Sequence, residues 1–160
     1  MKLLETIGER GVNIQYVDRP TVKVVITRDD DVLILQNGLL PGGGVKDGES
    51  TKDAIVRELL EELGVTVDTI TEIGQVNQFR SFLGKEYEVY GYTARFIAFN
   101  TAPKPQDEGE ASFTYQWMSK RAALDYVAKL IENDNAELVD DSIQGKRYNL
   151  MTSLALLKNI

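Results

Sequence analysis

Cysteine and histidine are both absent from this chain of 160 residues. Without cysteine there is neither a disulfide framework nor thiol chemistry, which suits a cytosolic protein. Without histidine the commonest general base and transition-metal ligand is missing, so any catalysis must run on carboxylates and cations. Long apolar runs are missing as well. None approaches the roughly 18 residues of a membrane span. The opening MKLLETIGERG carries acids where a signal peptide needs an apolar stretch. The expectation is a soluble, untargeted, cytoplasmic protein. Basic residues are in deficit, 18 against 25 acidic, giving a net charge of −7 and a pI near 4.7. That balance argues against nucleic acid or an anionic membrane as partner, since both need a basic surface. A small phosphorylated ligand fits if a metal bridges the repulsion.

With 42% hydrophobic residues, this length predicts one domain over residues 1–160, burying about 70% of its unfolded surface. There is no internal repeat or low-complexity tract. Residues 1–20 carry an ambiguous pattern, which a short helix followed by an extended NIQYV would satisfy. TVKVVITR and VLILQ are β-branched or aliphatic runs joined across Asp29, Asp30 and Asp31, a hairpin by composition and loop length. A glycine-rich break at residues 38–44 precedes a helix. TVDTITEIGQV follows as a strand or two, and residues 86–99 as a long strand. That strand is apolar on both faces, with Tyr87 and Val89 on one and Tyr90 and Tyr92 on the other, so it is expected inside the sheet between layers. Residues 103–109 form a loop with two prolines. SFTYQWM is a strand, RAALDYVAKLIE an amphipathic helix and RYNLMTSLALLK a C-terminal helix. The acidic residues 132–141 read as a solvated loop. The order gives an α+β class, a mixed sheet between helices, not a regular βαβ alternation.

The rest of the chain is organised around GGGVKDGESTKDAIVRELLEELGV, residues 42–65. Ser50 with Asp53 three residues on reads as an N-cap with a capping box, and Gly64 as the left-handed stop. Ile55, Leu59 and Leu63, with Val56 and Leu60 one position on, make one side apolar and inward-facing. Glu58, Glu61 and Glu62 at i, i+3 and i+4 place three carboxylates together on another face. Arg57, four residues before Glu61, screens part of this repulsion, but one guanidinium cannot neutralise three carboxylates. A hard divalent cation could, since Mg²⁺ and Mn²⁺ prefer oxygen ligands. The glycines at 42–44 let the backbone come close enough for a carbonyl to join them. A solvated acidic helix face is the competing reading of those glutamates.

Spacing separates the two. Gly43, Glu49, Arg57, Glu58, Leu59, Glu61, Glu62, Gly64 and Val65 match the Nudix box, G-x5-E-x7-R-E-U-x-E-E-x-G-U with U aliphatic, at every defined position. Seven fixed and two aliphatic positions coincide by chance below about 10⁻⁷ per chain. The chain therefore resembles the Nudix (MutT-like) hydrolases. The resemblance implies an α/β/α sandwich and a site binding Mg²⁺ or Mn²⁺. In the family, water attacks a phosphorus of a nucleoside diphosphate linked to another moiety. By the same resemblance Glu61 and Glu62 are metal ligands, joined by the carbonyl of Gly42 or Gly43. Glu58 is a further ligand or the base that activates water. Arg57 orients Glu58, and Glu49 supports the turn. One more acidic ligand or base is expected downstream, with Glu110 and Glu108 as the candidates.

Substrate choice is less legible. Arg80, Lys85 and Arg95 could meet phosphate. Phe79, Phe82, Tyr115 or Trp117 could stack on a base, though as residues of strands or strand ends they read first as core. Arg80, read as a loop residue flanked by Phe79 and Phe82, leads the cations, and Phe82 is the aromatic paired with it. Markers of the ADP-ribose, coenzyme A and NADH pyrophosphatase groups are absent. The expected substrate is thus a nucleoside triphosphate or a nucleoside diphosphate sugar. The alternative is a Nudix-fold module that binds nucleotide without cutting it, or an unrelated α+β protein with an acidic helix. Dimerisation is left open.

Overall fold

The computed structural model describes residues 1–100, 102, 114–133 and 141–160, with side chains from residue 145 onward in the last stretch. Its strands are β1 Leu3–Ile7, β2 Val17–Arg28, β3 Asp31–Leu35, β4 Val65–Arg80, β5 Lys85–Phe99 and β6 Tyr115–Ser119. The helices are α1 Thr51–Leu63, α2 Lys120–Asn133 and α3 Asp141–Lys158. The strands form one mixed sheet in the order β1-β4-β5-β2-β3-β6. β1 runs parallel to β4 and β2 parallel to β5, while the β4/β5, β2/β3 and β3/β6 pairs are antiparallel.

Strand alternation splits the core into two layers. Val22, Val24, Ile26, Leu33, Leu35, Tyr92 and Ala94 face α1, which supplies Ala54, Ile55, Leu59 and Leu63. Val25, Val32, Ile34, Val76 and Val89 face the other way, against Ala123 and Val127 of α2 and Leu150, Ala155, Leu156 and Leu157 of α3. This is the expected α/β/α sandwich. β5, third in the sheet, is the interior strand that its two apolar faces foretold.

The N-terminal segment differs from expectation. Residues 3–7 form a strand, not a helix. Pairing with β4 and burial of Ile7 in the α3 layer override a local pattern that suits a helix. The segment after Val65 is one strand reaching Arg80, with register shifts near Thr66, between Asp68 and Thr71, and near Gly74. Those bulges blur the period-2 pattern that would mark a single strand. Arg80 accordingly ends a strand instead of lying in a loop.

The β2–β3 hairpin turns at Asp29 and Asp30, with Asp29 at φ 53°. β3 pairs with β2 only at its start, and the glycine segment takes over beside the middle of β2. There the Val22 N–H donates to the Gly43 carbonyl at 2.9 Å and the Val24 N–H to the Pro41 carbonyl at 3.0 Å. The sheet thereby fixes the turn from which α1 departs.

Candidate functional site

α1 begins and ends as its sequence dictates. The Ser50 hydroxyl accepts the Asp53 N–H at 3.1 Å and donates to Asp53 Oδ2 at 2.6 Å, a variant of the capping box closed through the hydroxyl. Gly64 stops the helix at φ 64°, ψ 25°, its N–H on the carbonyls of Leu59 and Leu60. The apolar side is narrower than expected. Val56 is 45% exposed and Leu60 half-buried, while Ala54 takes the inward place.

Two of the three glutamates turn inward. Glu58 and Glu62 are buried, each 7% exposed. Gly42 Nα donates to Glu62 Oε2 at 2.8 Å. A Cβ on Gly43 would stand 2.6 Å from both oxygens of Glu58, and one on Gly42 would stand 2.3 Å from the Val22 carbonyl oxygen. Gly42 also has φ +121°. Both positions therefore require glycine, one for a carboxylate and one for the sheet. Glu61 stays at the rim, so the glutamates do not form one three-carboxylate patch. Among the described residues no three acids converge on a single point.

Arg57 ties these parts together. Its Nε and Nη2 donate to Glu49 Oε1 and Oε2 at 2.7 and 2.9 Å. Nη1 donates to Glu58 Oε1 at 2.6 Å and Glu61 Oε2 at 3.2 Å, and Nη2 reaches the Gly44 carbonyl at 2.8 Å. The Lys46 N–H donates to Glu49 Oε2 at 2.9 Å. Arg57 and that N–H hold the Glu49 carboxyl down to about 2, and the same carboxylates raise the Arg57 guanidinium above its ordinary value. Arg57 thus touches both Glu49 and Glu58, and Glu49 in turn accepts the Lys46 N–H of the turn.

The donor chemistry suits a hard divalent cation. Glu58 Oε2 is a buried anionic oxygen that accepts no hydrogen bond from the described residues. The Gly42 carbonyl accepts the Lys23 ammonium, so a cation already stands at that oxygen. The Gly43 carbonyl is engaged by the Val22 N–H. Of the two glycine carbonyls, Gly42 is thus the one turned toward positive charge. Glu108 and Glu110 lie outside the described residues.

A cavity of about 600 Å³ leads from residues 42–44 along β2, β5 and β4 to Arg80. Lys85 lines it as well. Phe82 does not. It borders a separate cavity with Phe79, Ser81 and Tyr148. Arg95 is bound at the surface by Asp68, at 2.7 Å for one contact and 2.5 Å for the other. Phe79 packs edge-on to Tyr16, Trp117 on Phe96 and beneath Arg28, and Tyr115 on Phe99.

Sequence reasoning passed over Lys23, Gln78, Tyr87 and Asn149, all of which line the cavity. Signals for two of them existed. Lys23 is the lone charge inside the valine run of β2, and Gln78 shares the alternation face of Arg80 on β4.

A family model of the NUDIX domain matches residues 17–141. Over 108 residues, 62% of the chain, it is 33% identical to the NAD-capped RNA hydrolase NudC of Pseudomonas aeruginosa, of which that stretch covers 36%. Over 67 residues, 42% of each chain, it is 37% identical to the oxidized purine nucleoside triphosphate hydrolase of Danio rerio. The chain thus spans well under two thirds of the length of these curated relatives. A solved NUDIX hydrolase from Nitrosomonas europaea superposes with a TM-score of 0.57 at 25% identity, over 85% of this chain and 95% of that one.

Proposed function

The chain belongs to the Nudix family, and on that premise we propose that it is a metal-dependent hydrolase of phosphoric anhydride bonds. It acts on a small nucleoside diphosphate linked to another moiety, in a single domain over residues 1–160 and in the cytoplasm. The observation that carries the reading is the Arg57 hub. One guanidinium holds Glu49, Glu58, Glu61 and the Gly44 carbonyl, so helix and glycine turn form one rigid unit. A solvated acidic face would need no such unit, nor would it bury Glu58 and Glu62.

Glu58 and Glu62, with the Gly42 carbonyl beside them and Glu61 reaching in from the rim, would hold Mg²⁺ or Mn²⁺. Such an ion would supply positive charge against the diphosphate and would acidify water for the attack. Arg57 fixes Glu58 by its Oε1, leaving Oε2 as the atom that binds or takes a proton from the attacking water. The Gly42 N–H fixes Glu62 from the turn side, and Glu49 braces Arg57 against residues 44–46. Arg80, at the far end of the cavity, contacts the moiety carried by the diphosphate.

The test is a panel of nucleoside triphosphates, ADP-ribose, nucleoside diphosphate sugars and dinucleoside polyphosphates, with Mg²⁺ or Mn²⁺ and with EDTA. Metal-dependent release of phosphate products is expected from at least one class. Nucleotide binding without any cleavage would replace this reading with that of a regulatory module.

A further inference from the structure

Arg80 presents an electrostatic imbalance. The residue is only 9% exposed, and burial pushes the guanidinium pKa below its ordinary value. No carboxylate of the described residues lies within ion-pair distance of it. Its acceptors are neutral. Nε and Nη2 donate to Gln78 Oε1 at 3.0 and 2.7 Å, and Nη2 to Asn149 Oδ1 at 2.7 Å. The guanidinium stacks on the Tyr87 ring at 4.2 Å. Nη1 has no acceptor among the described residues. A buried guanidinium stays charged and is costly to desolvate without a counter-charge.

Its neighbours keep room for one. A Cβ on Gly145 of α3 would stand 3.0 Å from Nη1, so a glycine that is unfavourable inside a helix leaves that nitrogen uncrowded. The cavity walls carry Arg19, Lys23, Lys85 and Arg80 against Asp18 and Asp47, four cations to two carboxylates in a chain of net charge −7. The field there favours an anion over a neutral base carbonyl.

This anion is not the scissile diphosphate. Gly44 pairs with Thr21, Thr21 with Val89, and Lys85, four residues back along β5, with Arg80. Three strand steps across and four residues along the sheet put the two Cα atoms roughly 15–20 Å apart. The guanidinium itself reaches back over Tyr87, two strand steps and two residues from Gly44 and about 12 Å away, still farther than a diphosphate anchored at the glycine turn extends.

We propose that the Arg80 end of the cavity binds a second anionic group, a phosphate carried by the moiety that the diphosphate links to the nucleoside or by the nucleoside's own sugar. This rests on the hydrolase reading for where the diphosphate sits, and it narrows the substrate to diphosphate compounds bearing a further phosphate.

The experiment has two arms. In EDTA, inorganic phosphate replaces chloride at constant ionic strength and the unfolding midpoint is followed. At ten times Kd the midpoint rises by about 3–6 °C. Asn149→Asp supplies Arg80 with an internal carboxylate, so this variant unfolds at a higher temperature than the wild type and gives no response to phosphate. Arg80→Gln, if it folds, also gives none. No response in the wild type, or a response that survives Asn149→Asp, overturns the proposal. The second arm compares NADPH with NADH, and coenzyme A with dephospho-coenzyme A, each pair differing by one phosphate. A preference of at least about tenfold in kcat/KM for the phosphorylated member, the order of one charged hydrogen bond, is expected. In Asn149→Asp the ratio collapses toward one. Equal turnover of both members in the wild type overturns the proposal. Absence of any turnover defeats the hydrolase reading alone, and the phosphate response still decides on Arg80.

Discussion

Arg57 grips Glu49 by two parallel hydrogen bonds, Nε to Oε1 at 2.7 Å and Nη2 to Oε2 at 2.9 Å, across eight residues of chain. This fork fastens the first turns of α1 to the loop that precedes it, and the remaining nitrogen is left for Glu58 and Glu61.

The fork makes acid stability depend on Glu49. Its carboxyl falls from 4.5 to about 2, chiefly through the Arg57 hydrogen bonds and then the Lys46 N–H. A depressed folded-state pKa contributes stability that is present above the unfolded value and lost as pH falls through the folded one. The contribution is therefore complete above about pH 4.5 and disappears toward pH 2. Denaturant titrations from pH 6 to pH 2 are expected to show a shallower acid-side loss in Glu49→Gln than in the wild type. Parallel curves would contradict this.

Arg57→Lys keeps the charge and loses the fork. Lysine is a point donor that cannot serve Glu49, Glu58, Glu61 and the Gly44 carbonyl together. Turnover is expected to fall about 10–100-fold, the usual cost of losing a residue that orients metal ligands. The unfolding midpoint should move little by comparison. Steady-state kinetics beside thermal melts separate the two.

The glycines test the packing. Gly42→Ala forces a side chain into φ +121° and against the Val22 carbonyl, and should destabilise by about 1–3 kcal/mol. Gly43→Ala drives a methyl into the Glu58 carboxylate, so its main effect should be on turnover. Chemical denaturation and kinetics on both variants would expose a reversal of that order.

Much of this was legible in the sequence because it is local. Ser50, Gly64 and the 3.6-residue period of Ile55, Leu59 and Leu63 define α1 with no help from distant residues. The box spacing joins Glu49 to Arg57 and Arg57 to Glu58, all within one turn and one helix. What stayed hidden depends on long-range pairing. β1 is a strand only because β4 lies beside it, and the fate of Arg80 depends on Asn149, 69 residues away. Val56 stays exposed because Ala54, a small residue with a weak apolar signal, takes the inward position on α1. The expected grouping of Glu58, Glu61 and Glu62 failed in part because helical spacing fixes Cβ positions, whereas Arg57 and the Gly42 N–H decide where the carboxylates point.

Leu59→Ala removes a fully buried side chain between α1 and the sheet and should cost about 2–5 kcal/mol. Val56→Ala, at a 45% exposed position, should stay within about 0.5 kcal/mol. Urea unfolding of the pair would reveal equal losses if Val56 were core.

Hydrolysis of the best substrate from the panel, followed as Mg²⁺ is titrated in the wild type and in Glu62→Gln, decides whether the α1 carboxylates hold the metal. Turnover is expected to depend on the metal and to fall by at least about 100-fold in the variant at any Mg²⁺ concentration, since a neutral amide cannot replace an anionic ligand. The variant must remain folded by circular dichroism. Turnover that persists in EDTA, or a folded Glu62→Gln protein that works at the wild-type rate, would contradict the claim that the α1 carboxylates carry the chemistry.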